Sequence, residues 1–308
     1  MSGIIVTALE LGLINAIAVL ALFLSYQMLN VCDLSTDGCF TLGAAVGATA
    51  ALQGHPLLSL LAAMLSGMLS GSTVSFLQRR MGIDALLSAI IVNTGLYSVN
   101  IAIMGNASIV NLNKTETVFT LFKSLLNGTV LSPYYRLIVI VLFVVVIVLF
   151  LNWFLKTRLG LAIRATGSNR IMVASSSIDA DRMTMIALCI SGSMTALSGC
   201  LLGQLQKSAG IDIGSGILTI ALASLLIGRI FYRHDSPMLL KICASVLGAF
   251  VFRIIYALSL RLHIPAFMLK LISSLIVALA ISIPYFYRMY LDRKQVNSQK
   301  EVEHAADR

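Results

Sequence analysis

The chain has 308 residues, of which 58% are hydrophobic and 11% charged, with a mean hydropathy of +0.93 and a formal net charge of +9. A soluble domain carries about 25% charged residues to keep its surface wet, so a water-facing globule of this size is excluded. The basic residues lie in short loops and a polar tail with no interleaved aromatic stripe, which gives no sign of nucleic-acid binding.

The first apolar block, residues 4–29, lacks a basic leader and a small-residue cleavage site, and is read as a retained membrane span. The second, 34–53, opens with Asp33-Leu34-Ser35-Thr36-Asp37-Gly38 and carries Gly43, Gly47 and Gly54. Polar residues and glycines at that density predict a broken or partly re-entrant helix buried among its neighbours, because irregular backbone facing lipid is too costly. Asp33 and Asp37 sit at a helix start, where carboxylates cap free N–H groups; a broken helix of this kind also lines substrate paths in transporters. In the fourth block, 84–105, Asn93, Thr94, Tyr97 and Asn100 recur at helical spacing. They either face a pathway or hydrogen-bond between helices.

Further blocks at 57–77, 134–155, 183–203, 215–232, 237–259 and 265–287 complete an all-α polytopic membrane bundle of about eight to nine segments. It forms one membrane domain over 1–290, followed by a polar tail over 291–308. Residues 106–133 read as the longest loop on one side, and 156–182 as the longest on the other. Arg79, Arg80, Lys156, Arg158, Arg164, Arg170, Arg182, Arg229 and Arg233 fall on one alternating set of loops, against Lys114, Lys123, Lys207 and Arg261 on the other. The richer set, which includes loop 156–182 and the C-terminus, is predicted to be cytoplasmic.

Charges inside spans are costly and default to functional candidates. Glu10, Arg253 and Lys270 qualify, with snorkelling to the interface as the alternative for the two cations. The runs Ser66-Gly67…Ser70-Gly71 and Ser191-Gly192…Ser198-Gly199 predict close helix packing. Five cysteines without a CxxC or Cys/His cluster predict no metal site, and the four scattered histidines form no catalytic constellation.

Loop 156–182 is the most informative stretch. A helix-permitting segment is followed by Gly167-Ser168-Asn169 as a break and cap, then by a short apolar-and-small segment from Arg170 to Ile178. Such a short helix either rests on headgroups or transmits force from a soluble motor. Gly160, Ala162, Arg164, Ala165, Gly167, Asn169, Ala174, Ile178 and Arg182, followed by Ser191-Gly192…Ala196-Leu197-Ser198-Gly199, resemble the cytoplasmic loop of the branched-chain amino acid and ribose permease family of ATP-binding-cassette (ABC) importers. The stretches 33–45, 94–105 and 214–228 look like the subgroup associated with tryptophan or tyrosine uptake. The sequence departs from that pattern at Ser177, where the family has glycine, at Arg229, where it has glutamate, and at Ala102, where it has arginine.

The resemblance implies a permease that passes a small amino-acid-like solute inward, paired with a second permease copy in the lipid bilayer. Two cytoplasmic ATPase subunits would dock on residues 163–180, through Arg164, Ala165, Gly167, Asn169, Ala174 and Ile178. An extracytoplasmic solute-binding protein or lipoprotein would deliver the solute. No G-x-x-x-x-G-K-[ST] phosphate loop is present, so ATP and Mg are expected on the partner ATPase, with no cofactor, metal or catalytic residue on this chain. A secondary transporter driven by an ion gradient is the alternative, though no inverted repeat is evident.

Overall fold

The computed structural model describes residues 2–113, 115–125, 134–232 and 236–261, with positions 271, 274, 275, 278 and 282. Helix α1 (Ser2–Leu22) runs into a π-helical segment (Phe23–Met28), after which residues 29–35 leave helical geometry. Asn30 turns the chain there with φ +59°, a conformation asparagine tolerates better than most residues. Helices α2 (Thr36–Leu52), α3 (Pro56–Arg80) and α4 (Ala85–Ile103) follow. Pro56 opens α3, where its missing N–H costs nothing. Asp84 caps α4 by accepting from the Leu86 N–H at 2.9 Å.

The chain continues through strand β1 (Ile109–Asn111), α5 (Val118–Leu125), α6 (Tyr135–Lys156), α7 (Arg158–Ser168), α8 (Arg170–Ser175) and α9 (Ala180–Gln206). Strand β2 (Ser208–Gly210), α10 (Ile217–Ile230) and α11 (Met238–Arg261) complete it. Within the stretch read as loop, 106–133, β1 pairs antiparallel with β2, Val110 opposite Ala209. The start of α5 is capped locally by Thr117 paired with Thr120, and also by Gln204 of α9, which accepts the Val118 N–H at 2.9 Å. The Gln204 cap comes from a residue distant in sequence, so the local pattern does not reveal it.

Among the described residues six helices are long and apolar enough to cross a bilayer: Val6–Met28, Pro56–Arg80, Ala85–Ile103, Tyr135–Lys156, Ala180–Gln206 and Met238–Leu258. Helices α2 and α10, with 17 and 14 residues, fall short of the ~20 a full crossing needs. Most of the last apolar block, 265–287, and Lys270 lie outside the described residues.

Helix α9 is the hub, with 78% of its apolar window buried against 22% for α4. Small residues make this possible. A Cβ on Gly43 or Gly199 would collide with the backbone of Ala196 or Phe40, and one on Gly67 or Gly71 with the carbonyls of Gly192 or Leu188. The predicted small-residue runs therefore meet face to face, which lets backbones approach as dispersion demands in lipid. Serines on α9 turn inward as cross-links: Ser191 Oγ donates to Ala21 O at 2.9 Å and Ser198 Oγ to Ile14 O at 2.7 Å.

Candidate functional site

Two groups of the predicted residues come together, at different places. The first surrounds the start of α2. Asp33 is buried, and its Oδ1 accepts from the Ser35 N–H at 2.9 Å and the Ser35 hydroxyl at 2.6 Å, closing a local turn before the helix. Asp37 lies in the first turn of α2, where the helix dipole favours it. Its carboxylate reaches across to the other short helix: Oδ2 accepts from the Gly216 N–H at 3.0 Å and Oδ1 from the Leu218 N–H at 2.7 Å. Asp37 thus caps α10 from outside, while Gly216, with φ +86°, supplies no side chain for the task.

Helix α4 secures the same turn through Gly38. The Gly38 N–H donates to Asn93 Oδ1 at 2.8 Å, and Asn100 Nδ2 donates to Gly38 O at 3.2 Å. Asn93 and Asn100 therefore take the interhelical role. The Asn100 Oδ1 is buried with no hydrogen-bond partner, an uncompensated acceptor in the middle of this cradle. Thr94 and Tyr97 are exposed on α4 and take no part in holding Gly38. Thr94 bonds back to Ile90 O, and Tyr97 is 56% exposed beside Gly95, around which there is open space.

The charges within spans stand apart. Glu10 is buried on α1, and the Arg253 stem packs against Gly12 while its guanidinium lies 4.9 Å from the Tyr256 ring centroid. No ion pair among the described residues joins Glu10 to Arg253.

The second group is the α7–α8 arm. Thr157 caps α7 and Asn169 caps α8, its Oδ1 accepting the Met172 N–H at 3.0 Å. The break and cap predicted at 167–169 thus form two short helices meeting at Asn169. Arg164, Ala165, Asn169 and Ala174 are exposed, whereas Gly167 and Ile178 are half-buried. A Cβ on Gly167 would strike the Met28 carbonyl and the Leu29 backbone, so the arm lies directly on the π-helical end of α1.

Ion pairs fix the rest of the arm. Asp179 caps α9 through the Asp181 and Arg182 N–H groups at 3.0 and 3.1 Å, and pairs with Arg79 at 3.4 Å and Arg182 at 2.9 Å; Arg170 pairs with Asp181. The Arg182 backbone N–H, helped by the Arg79 and Arg182 charges, holds the Asp179 carboxyl below its ordinary value. Sequence reasoning missed the most conspicuous residues here. Ile171 is 85% exposed and Met172 67%, an apolar pair at the tip of α8. The signal was available in an Ile-Met pair that follows the Asn169 cap after one intervening residue, on a helix of six residues with too little surface to bury both.

The family described as branched-chain amino acid transport system permease component matches residues 4–283. The chain belongs to that family. It is a multi-pass membrane permease of an ABC transport system, a transport subunit. Over 278 residues the permease is 31% identical to the tyrosine transport system permease protein of Clostridioides difficile (strain R20291), covering 90% of each chain. It is 35% identical over 285 residues to an uncharacterised protein of Rickettsia prowazekii (strain Madrid E), covering 91% of this chain and 97% of the relative. Its fold is shared with a chain of PsaBC from Streptococcus pneumoniae, solved in complex with Fab, at a TM-score of 0.53 and 12% identity, covering 90% of this chain and 89% of that one.

Proposed function

We propose that the permease passes an amino-acid-like solute, foremost an aromatic amino acid, inward by alternating access, and that the α7–α8 arm receives a separate ATPase subunit. The exposed Ile171–Met172 pair carries this reading. Two large apolar side chains on a tip braced by caps and ion pairs form a knob that gains by insertion into a partner's groove. The excess of Lys and Arg on this end of the bundle supports a cytoplasmic position for the arm and the C-terminus. The aromatic solute rests on the tyrosine-system relative. ATP and Mg belong to the partner, since this chain carries no phosphate loop.

Force from the arm has a direct route inward. Gly167 touches Met28 and Leu29 backbone with no slack, so a shift of α7 moves the end of α1 and the irregular 29–35 segment with it. That segment, α2 and α10 act as the re-entrant part of the pathway, with Asp33, Asp37, Asn93 and Asn100 holding its shape. A second permease copy would close the path along the open face of α4, where Thr94 and Tyr97 are exposed. The membrane domain spans 1–290 in eight to nine segments, with 291–308 as a cytoplasmic tail. Two ATPase subunits and an extracytoplasmic binding protein complete the importer.

The test is co-purification with the candidate ATPase, followed by uptake measured with ATP present. Ile171→Asp combined with Met172→Asp is expected to abolish both complex formation and uptake while leaving the permease folded. A Gly/Ser linker replacing 167–178 should do the same. If complex and coupled uptake both survive these changes, the arm is not the docking surface.

A further inference from the structure

A cavity of about 420 Å³ opens between the π-helical end of α1 and the facing ends of α10 and α11, next to the α7–α8 arm and away from the Asp37 cradle. Tyr26, Gln27, Asn30, Arg229, Tyr232 and Lys241 supply its polar lining. Two cations and two phenols converge there. Gln27 donates its amide to the Tyr232 hydroxyl, which leaves Gln27 Oε1 buried with no hydrogen-bond partner. Lys241 Nζ sits 6.0 Å from the Tyr232 ring centroid, so the phenol orients the ammonium.

The surroundings are of the opposite character. Ile230 and Phe231, next to Arg229, are 56% and 55% exposed; Leu239 and Leu240, next to Lys241, are 44% and 45% exposed. A cationic, hydroxyl-lined recess flanked by bare apolar side chains at the end of two helices has the polarity profile of a lipid, charged at the head and apolar along the chains. A free solute anion would match the recess and leave the apolar flanks unexplained. Basic pockets between membrane helices on the cytoplasmic side take anionic headgroups in this way.

We propose that this cavity binds the phosphate of an anionic phospholipid headgroup, with Arg229 and Lys241 as its charge partners and Tyr26 and Tyr232 as hydroxyl donors. Assignment to the inner leaflet rests on the orientation proposed above; headgroup binding itself does not. The consequence concerns coupling, because the recess also includes Met28, whose carbonyl abuts Gly167 of the arm. A bound headgroup braces the junction through which the arm acts.

The full-length permease, reconstituted in mixed phosphatidylcholine and phosphatidylglycerol bilayers and released gently, would be weighed by native mass spectrometry for retained lipid. Wild type is expected to retain phosphatidylglycerol in preference to phosphatidylcholine. Each basic side chain near a membrane surface is worth about fivefold in affinity, so Arg229→Gln with Lys241→Gln should lower the preference about thirtyfold. Arg80→Gln, an exposed charge at the same end of the bundle, should keep it. Should the double variant fail to fold, Arg229→Gln alone should lose about fivefold. Parallel samples with inorganic phosphate or free tyrosine distinguish the source of the anion. A wild type without lipid preference overturns the proposal. So does a folded double variant that keeps it, or displacement of the lipid by phosphate or tyrosine alone.

Discussion

The cradle around the start of α2 and the α7–α8 arm both depend on carboxylates, amides and helix ends, yet they use them in opposite ways. In the cradle, beyond the local Asp33 turn, the bonds run to backbone atoms of other helices: Asp37 takes the N–H groups of Gly216 and Leu218, and Asn93 and Asn100 hold the two sides of Gly38. In the arm, the bonds are local caps or ion pairs between exposed side chains, as with Arg79, Asp179 and Arg182. Surrounded by protein and lipid, a polar group has few alternative partners, so its bonds fix geometry. In water the same bonds are screened and readily exchanged. The cradle is therefore built to keep a shape, and the arm to present a surface and hand its contacts over to a partner.

Removing the cradle's bridge is the strongest way to break that contrast. Asp37→Ala deletes the acceptor for two N–H groups at the start of α10, and charge-assisted bonds of this kind are worth about 1.5–3 kcal/mol each. An expected loss of about 3 kcal/mol should appear in unfolding titrations in mixed micelles. Faster amide exchange should appear at Leu218. Asp37→Asn keeps an acceptor and should lose about half as much. If Asp37→Ala melts with wild type, the cap is dispensable and the cradle is no more rigid than the arm.

The arm should respond to pH and salt, and less steeply. Asp179 binds its proton less readily folded than unfolded. Its contribution is therefore present above the ordinary carboxyl value of 3.8 and is lost as pH falls through the lowered folded value. A spin label at position 172 should report increased motion of the arm over that acid range, and a smaller increase when salt is raised at neutral pH. Asp179→Asn should show the increase already at neutral pH. A label in α10 should not respond to salt. Equal responses from the two labels would erase the distinction.

The division between the regions also marks what the amino-acid order could tell. The apolar blocks, the Gly167–Asn169 break and the two small-residue runs are local patterns with one cheap solution each, so they were legible. The role of Asp37 was legible only in part. A carboxylate at a helix start reads as a cap, but which helix it caps depends on the chain returning 179 residues later. Asn93 and Thr94 are neighbours in sequence, and only packing against Gly38 separates the interhelical amide from the outward hydroxyl. Ile171 and Met172 were passed over inside an apolar-and-small segment read as resting on headgroups or transmitting force, and only the fold shows that the bundle leaves both side chains uncovered.

The smallest expected effect tests how firmly the arm is held at its far end. Ser177 has φ +61°, in the left-handed region where a side chain costs about 1 kcal/mol and glycine does not. Ser177 also stands where the resembled permease pattern has glycine. Ser177→Gly removes that strain but frees the unfolded chain by about 0.4–1 kcal/mol, so the net change in stability should be within about 0.5 kcal/mol of zero. Ser177→Val is the informative counterpart, since a β-branched residue is a poor fit to this conformation. It should loosen the turn between Val173 and Ile178, which is closed by their backbone bond at 3.3 Å, and raise protease cleavage there. Equal cleavage of the glycine and valine variants would mean that the turn is not held at positive φ. The arm's shape would then rest on the Asn169 cap, the ion pairs of Asp179 and Asp181 and the seat of Gly167 on α1, of which a docking partner displaces the exposed pairs most readily.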